Sequence, residues 1–507
     1  MSSLRKNIVA NFAGTIWSTG IAIVVVPFYV HFLGIEAYGL VGLFATLQAI
    51  SALLEVGLSP TMNRELARAS TRSDSIAATR DLLRTMEFVY WTVAVVGGLL
   101  IAALAPVIAN HWVRPQHLPL VQVEYAFLLM GLAFAAQWPS ALYIGGLLGI
   151  QRHDRLNAVI IGASTLRALG ALLILWLVSP TIIAFFVWQA LAAAIQTVSL
   201  ALTLWRSVPP VAQRPRFSSA ALRSVWRFAA GMSGITVLKV MLTQADKITL
   251  SKLLPLDSYG YYVLAGTAAT ALNRVVGPFQ TAYFPKLSEL WSRGDTDQLR
   301  RVYHLGGQLL AVVVLPAAAV LIFFSREVLL VWTGNPVIAD RAHLLLRLIA
   351  IGGALNGLMS LPYALQLASG WTRLPFLTNA VAAVLIVPLL VAATFQWGAV
   401  GAASAWVALN TGYLLFNIPI MHRRILPGEA GRWYVRTIGG PFVVTLLVSG
   451  IARVIFLGGS TRLWLAVSLL LVWMIALIAS SLTIPWIREK ARLALYRRWP
   501  AVRADSA

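Results

Sequence analysis

Long apolar stretches alternate with short polar, basic ones along the whole chain. A helix needs about 20 residues to cross ~30 Å of hydrocarbon, and apolar runs of that length recur throughout. They predict spans at about 8–30, 38–61, 86–108, 120–145, 157–178 and 182–204, then at about 229–252, 259–284, 305–324, 344–368, 374–394 and 399–421. A final pair is predicted at about 434–456 and 463–485. Such runs are too long for barrel strands, and only helices or closed barrels satisfy backbone polar groups in lipid. The expected class is an all-α polytopic membrane protein with about fourteen transmembrane helices. The first run is too long for a signal-peptide core and no small-residue cleavage site follows it, so it reads as a span.

Composition agrees: the chain is 59% hydrophobic and 11% charged, against roughly a quarter charged in soluble domains. No cysteine is present, which excludes disulfides, thiolate metal sites, cysteine nucleophiles and palmitoylation. The net charge of +22 invites a nucleic-acid partner, but its distribution points to membrane topology. With residue 1 on the inside, the inner loops carry Arg5, Lys6, Arg64, Arg68, Arg72, Arg80, Arg84, Arg152, Arg155 and Arg206. Further along, the inner side holds Arg214, Arg216, Arg223, Arg227, Lys286, Arg293, Arg300, Arg301 and Arg373. It ends with Arg423, Arg424, Arg432, Arg436 and the tail from Arg488 to Arg503. The outer loops hold Arg114, Lys252, Arg326, Arg341 and Arg462. This asymmetry places both termini in the cytoplasm, and a basic surface against anionic lipid accounts for the charge without nucleic acid.

An internal repeat organises the chain. Residues 33–80 align with 254–301 without a gap, pairing Leu33/Leu254, Tyr38/Tyr259, Gly39/Gly260, Leu43/Leu264, Thr46/Thr267, Leu66/Leu287, Arg72/Arg293, Asp74/Asp295 and Arg80/Arg301. Glu36 lies opposite Asp257. Six predicted helices separate equivalent positions, and an even number makes the repeat parallel. The expected organisation is a six-helix lobe over 1–204, a cytoplasmic linker over 205–226 marked by Pro209, Pro210 and Pro215, a second six-helix lobe over 227–421, and an extra helix pair with a basic tail over 422–507.

The segment RKNIVANFAGTIWSTGIAIVVVPFYVHFLGIEAYGLVGLFATLQAISALLEVGLSPTMNRELA resembles the opening of Wzx-type polysaccharide flippases. Its counterpart ADKITLSKLLPLDSYGYYVLAGTAATALNRVVGPFQTAYFPKLSEL resembles the start of their second lobe. These proteins belong to the multidrug/oligosaccharidyl-lipid/polysaccharide exporter superfamily, which includes the lipid II flippase MurJ. The resemblance implies translocation of an undecaprenyl-diphosphate-linked glycan from the cytoplasmic to the periplasmic leaflet of a bacterial inner membrane, by alternating access. The implied partners are that lipid-linked glycan, membrane lipids, a polysaccharide polymerase and chain-length machinery. Many Wzx proteins have twelve helices, and the extra C-terminal pair resembles MurJ, where such helices border a groove for the lipid tail.

Charged groups deep in a span cost at least ~2.5–3.5 kcal/mol on insertion scales, so they face protein or water. Six stand out: Glu55, Arg167, Lys239, Asp246, Lys247 and Arg274. Arg167 and Lys239 fall near mid-membrane, Arg274 slightly inward of it, Glu55 nearer the inner face, and Asp246 and Lys247 nearer the outer face. Four cations against two carboxylates suit an anionic headgroup, and arginine offers a planar fork matched to phosphate. Helical spacing sets Thr267, Thr270 and Thr281 on the face of Arg274, Gln48, Ser51 and Ser59 on that of Glu55, and Asn11, Thr15 and Ser18 on one face of the first span. The expected diphosphate- and sugar-binding residues are therefore Arg274, Lys239, Arg167, Thr270, Thr267, Asn11 and Thr15. For the hydroxyl stripes, interhelical bonding at ~0.6 kcal/mol per contact is an equal alternative. Glu55, Asp246 and Lys247 are candidates for ion coupling, and Asp246–Lys247 serves equally as an ion pair that fixes a helix.

Enzyme readings find no support. No Walker A lysine, no His-Glu-x-x-His and no Gly-x-Ser-x-Gly occurs, and neither metal nor cofactor is expected. Asp295-Thr296-Asp297 follows Gly294 and reads as a helix cap. The alternatives are a cation-coupled drug exporter of the same superfamily, disfavoured by the excess of buried cations, and a periplasmic-face polymerase or ligase. The latter is disfavoured because the longest predicted outer loop, about 325–343, is too short for an active site of its own. The topology predicts that cysteines introduced at Glu36 or Gly398 react with an impermeant thiol reagent in intact cells. Cysteines at Gln213 or Thr296 are predicted to react after permeabilisation alone.

Overall fold

The computed structural model describes residues 2–55, 57–69, 76–209, 215–219, 222–223, 233–455 and 461–490. These residues are helical throughout, with no strand among them. Helix α1 runs Ser2–Glu55, α2 Leu58–Ala69, α3 Ile76–Val107, α4 Leu120–Gly149, α5 His153–Leu177, α6 Ile182–Ser207, α7 Ser233–Leu253 and α8 Leu256–Ser292. Next come α9 Thr296–Phe323, α10 Ser325–Thr333, α11 Pro336–Ala368, α12 Arg373–Ile425, α13 Ala430–Ile455 and α14 Arg462–Ser481. Threonines and an aspartate open several of them, as expected at N-caps. Thr181 accepts from Ala184 N, Thr461 from Trp464 N, and Asp295 from Gln298 N at 3.0 Å, so the Asp295 motif is a cap.

Ten stretches are long and apolar enough to cross a membrane, against about fourteen spans expected. The difference has two physical causes. First, α1 and α12 fold back on themselves. Gly34 (φ 81°) and Gly398 (φ 59°) adopt the left-handed backbone region that glycine enters freely. In a straight helix Ser18 and Gln48 would stand ~45 Å apart, yet they line one cavity. Likewise a methyl on Gly401 would overlap the carbonyl of Ala393, which a straight helix holds ~12 Å away. Second, α7 and α8 fall outside the ten, and they are polar: they carry Lys239, Asp246, Lys247 and Arg274.

Several boundaries differ from expectation. The span placed at 38–61 ends at Glu55 and restarts as α2 beyond Gly57, so Ser59 does not continue the Gln48–Ser51–Glu55 stripe on one helix. The outer loop placed at 325–343 is largely helical, with α10 closed by Gly334 and α11 capped by Asn335.

By internal contact the chain divides between Val263 and Leu264, within α8. In the first unit, residues 254–263 pack on their repeat equivalents. A methyl on Gly39 would stand 2.8 Å from Leu256 O, and one on Gly260 would overlap Ile35 O. Ile35 is equivalent to Leu256 and Gly39 to Gly260, so the contact is reciprocal, as across a two-fold axis. Gly42 lies against Val263, its own equivalent. Glu36 is buried, and its carboxylate accepts from the backbone N–H groups of Gln116, His117 and Leu118, stapling the α1 turn to the α3–α4 connection.

The second unit is built on α9, whose buried face carries Tyr303, Leu310, Val314 and Ala318, packed by α11, α13 and α14. Trp433, fully buried, joins α13 to this core.

The glycine contacts set a stability test. Gly260→Ala should cost about 1–3 kcal/mol through overpacking, read as a fall in thermal midpoint, whereas Gly266→Ala, with open space around its Cβ, should be neutral or stabilising. The topology probes also move. Glu36 is buried and Gly398 needs positive φ, so cysteine suits neither, and Gln213 lies outside the described residues. Exposed Gln116 and Gln396 replace them: Gln116→Cys and Gln396→Cys should react in intact cells and Thr296→Cys after permeabilisation, and the reverse pattern overturns the orientation.

Candidate functional site: a membrane cavity around Arg167

The first unit holds a cavity of about 450 Å³ whose polar lining comes from both halves of α1 and from α4, α5 and α6. Ser18, Tyr29, Tyr38 and Gln48 face it from α1, Gln137 from α4, Ser164 and Arg167 from α5, and Gln189 and Gln196 from α6. The fold-back at Gly34 is what lets α1 contribute twice.

Arg167 sits at the centre of this polar set. Its Nη1 donates to Gln137 Oε1 at 3.2 Å and its Nη2 to Gln196 Oε1 at 2.8 Å. Gln48 Nε2 donates to the same Gln137 oxygen at 2.7 Å, which orients that amide toward the guanidinium. The Nε of Arg167 is buried without a hydrogen-bond partner, and no carboxylate pairs with Arg167 among the described residues. A guanidinium in an apolar interior, held by neutral amides, retains an uncompensated positive field. Pro139, directly after Gln137–Trp138, interrupts α4 at this level.

A smaller cavity of about 160 Å³ shares Gln48 and Gln137 with the first and contains Glu55, Ser51 and Ser140. The two amides thus stand between the Glu55 carboxylate and the Arg167 cation. Trp138, buried on Tyr90 at a 4.7 Å ring separation, forms one wall and donates from its indole N–H to Ser51 O.

The structure places the other expected residues as follows. Arg274 and Thr270 are exposed on α8 with Thr267 half-buried beside them, and Arg274 has no hydrogen bond or ion pair among the described residues. The Thr270 hydroxyl donates to Thr267 O at 2.6 Å. Asp246 accepts from Tyr262 OH at 2.6 Å and from Lys247 Nζ at 3.2 Å, the geometry of a pair that fixes α7 to the start of α8. The side chains of Asn11, Thr15 and Lys239 lie outside the described residues.

Two groups of residues were not singled out from the sequence. Gln137, Gln189 and Gln196 carry amides in otherwise apolar spans, and that polarity is the signal that could have marked them. The second is a buried cluster in the second unit: His304 bonds Thr437 Oγ1 at 2.7 Å and Glu429 at 2.9 Å, and Glu429 also pairs with Arg300 at 2.8 Å. It ties the start of α13 to α9; the sequence reading uses Arg300 for sidedness alone and does not single out His304 or Glu429.

The described residues thus form a multi-pass helical chain with a fold-back first helix and a polar cavity among its apolar helices. Residues 4–291 match the polysaccharide biosynthesis protein family, and residues 275–391 match the MatE family. The chain belongs to the polysaccharide biosynthesis protein family. Among solved structures, the lipid II flippase MurJ in an inward closed conformation superposes with a TM-score of 0.71 at 13% identity, covering 96% of this chain and 99% of that one. An inward-facing multidrug resistance MATE transporter gives 0.66 at 13% identity over 83% and 94%, and the MATE multidrug transporter DinF-BH gives 0.60 at 12% over 83% and 95%. At these identities the likeness establishes the fold. No curated protein sequence gives a match.

Proposed function

We propose that this protein is a flippase that moves an undecaprenyl-diphosphate-linked oligosaccharide from the cytoplasmic to the periplasmic leaflet of a bacterial inner membrane, by alternating access, for surface polysaccharide synthesis. The observation that carries the reading is Arg167: a guanidinium inside the membrane, held by the side-chain oxygens of Gln137 and Gln196 and by no carboxylate among the described residues. A diphosphate entering hydrocarbon needs a fixed positive partner, because an unpaired anion there is prohibitively costly. Amides and hydroxyls around the cation suit the neutral hydroxyls of a sugar. The family membership supports a glycan pathway.

Arg274, on α8, is a second proposed diphosphate contact. A charge facing hydrocarbon is costly, so the exposed face bearing Thr270, Arg274 and Thr281 is read as lining water or substrate. Lys239, Asn11 and Thr15 remain proposed contacts from the helical stripes. Glu55, in the smaller cavity that shares Gln48 and Gln137 with that of Arg167, is the proposed coupling carboxylate. Asp246–Lys247 is read as the helix-fixing pair. A cation-coupled drug exporter is disfavoured because the cavity is built around a cation with no carboxylate paired to it among the described residues.

The test is export of the lipid-linked repeat unit in cells lacking the native gene. Arg167→Ala and Arg274→Ala should each be made and inserted at normal levels yet lose translocation, leaving repeat units facing the cytoplasm. Arg167→Lys and Arg274→Lys should retain part of the activity, since charge survives while the planar fork is lost. Normal polysaccharide export from Arg167→Ala would remove the cavity from the mechanism. Repeat units that reach the periplasm while polymer is missing would point to a polymerase.

A further inference from the structure

Helix α3 carries a second cavity unrelated to the Arg167 site, a groove of about 750 Å³. Phe88, Trp91, Thr92, Val95 and Val96 follow helical spacing and form one wall. That wall continues into exposed Leu99 and Leu100, so the groove opens along an apolar outer face of α3. It shares no lining residue with the Arg167 cavity.

The opposite wall is Pro215 and Phe217, from the segment joining the two repeats. Phe217 meets Phe88 edge-on at 5.6 Å. Three contacts hold the segment there: Arg80 Nη1 donates to Pro209 O at 2.9 Å, Arg216 N to Asp81 Oδ1 at 2.7 Å, and Ser218 N to Thr85 Oγ1 at 2.9 Å.

The mouth of the groove is cationic. Arg84 stands one turn before Phe88, where the apolar run of α3 begins, and its side chain is 63% exposed. Arg216, exposed, lies between the two wall residues of the segment. The neighbouring carboxylates are already engaged. Glu87 is buried and accepts from Tyr143 OH at 3.0 Å and Trp205 Nε1 at 2.7 Å besides pairing with Arg84, and Asp81 takes the Arg216 N–H.

An apolar slot ending in exposed arginines at the edge of the hydrocarbon matches a lipid with an anionic headgroup: the chain fills the slot and the phosphate meets the guanidinium groups. We propose that the groove binds an anionic phospholipid of the surrounding membrane, one acyl chain against Trp91, Val95 and Val96 and its phosphate at Arg84 and Arg216. The lipid-linked cargo is the wrong occupant, because the groove opens on the outer face of α3 and not into the Arg167 cavity. Since one wall is the segment joining the repeats, a bound lipid also fixes where that segment lies.

The experiment reconstitutes the full chain in vesicles of phosphatidylcholine containing either phosphatidylglycerol or phosphatidylcholine with the same photoactivatable acyl chain, and maps the labelled peptides. Phosphatidylglycerol should label the peptide spanning Phe88–Val96 roughly 25-fold more strongly than phosphatidylcholine, about fivefold for each of the two arginine–headgroup contacts. Arg216→Gln, at an exposed side chain, should lower that preference, and Arg84→Gln combined with it should abolish it. Val96→Trp, which fills the slot, should remove labelling there. Equal labelling by the two lipids, or labelling that survives Val96→Trp, overturns the proposal. A phosphatidylglycerol preference that survives Arg84→Gln combined with Arg216→Gln overturns it too.

Discussion

Away from water, every backbone N–H and C=O, and every charge, must find its partner within the protein. That constraint turns the chain into helices, and it also dictates where the helices break. The reversals in α1 and α12 fall at Gly34 and Gly398, where glycine accepts a left-handed backbone at no steric cost. The amides freed at the α3–α4 connection are taken up by Glu36, whose carboxylate accepts from three successive backbone N–H groups. The same rule acts on Arg167. With no carboxylate paired to it among the described residues, the guanidinium is solvated by Gln137 and Gln196, and Gln48 fixes the shared amide.

The repeat adds a second constraint. Equivalent segments that meet must suit themselves as well as each other, and at a two-fold contact the same residue sees its own copy. Small residues are the general solution for close backbone approach in membranes. Gly39 and Gly260 each lie against the carbonyl of the other's upstream neighbour, and Gly42 meets Val263. These glycines are therefore fixed by packing, and not by the transported substrate. The repeat does not extend to every polar position: in the alignment Glu55 falls opposite Val276.

Much of the fold was legible in the sequence, because a span announces itself by some twenty apolar residues and needs no distant partner. Gapless pairing of 33–80 with 254–301 likewise exposed the glycines that the structure finds in contact. Other features were hidden because they depend on residues far apart. Glu36 reads as an exposed loop acid until residues 80 positions away wrap it, and His304 meets Glu429 across 125 positions. Arg167 was visible as a costly charge, but its solvating amides were not, since neutral glutamines in apolar helices draw less notice than charges. The end of the second span differs from the 38–61 expectation because the backbone turns at Gly57, inside that run.

The choice of amides over carboxylates around Arg167 decides how that guanidinium can meet an anion. A buried ion pair would neutralise the cation and leave little attraction for an incoming diphosphate. A bare guanidinium in hydrocarbon would be too costly to keep. Glutamine oxygens lie between these limits: they solvate the cation without cancelling its charge, and an anion can take their place at the guanidinium fork. Gln137 accepts from both Arg167 and Gln48, and it also walls the cavity holding Glu55. An anion at the guanidinium fork would compete with Gln137 for Arg167, so the amide shared by the two cavities is the group that its arrival would disturb.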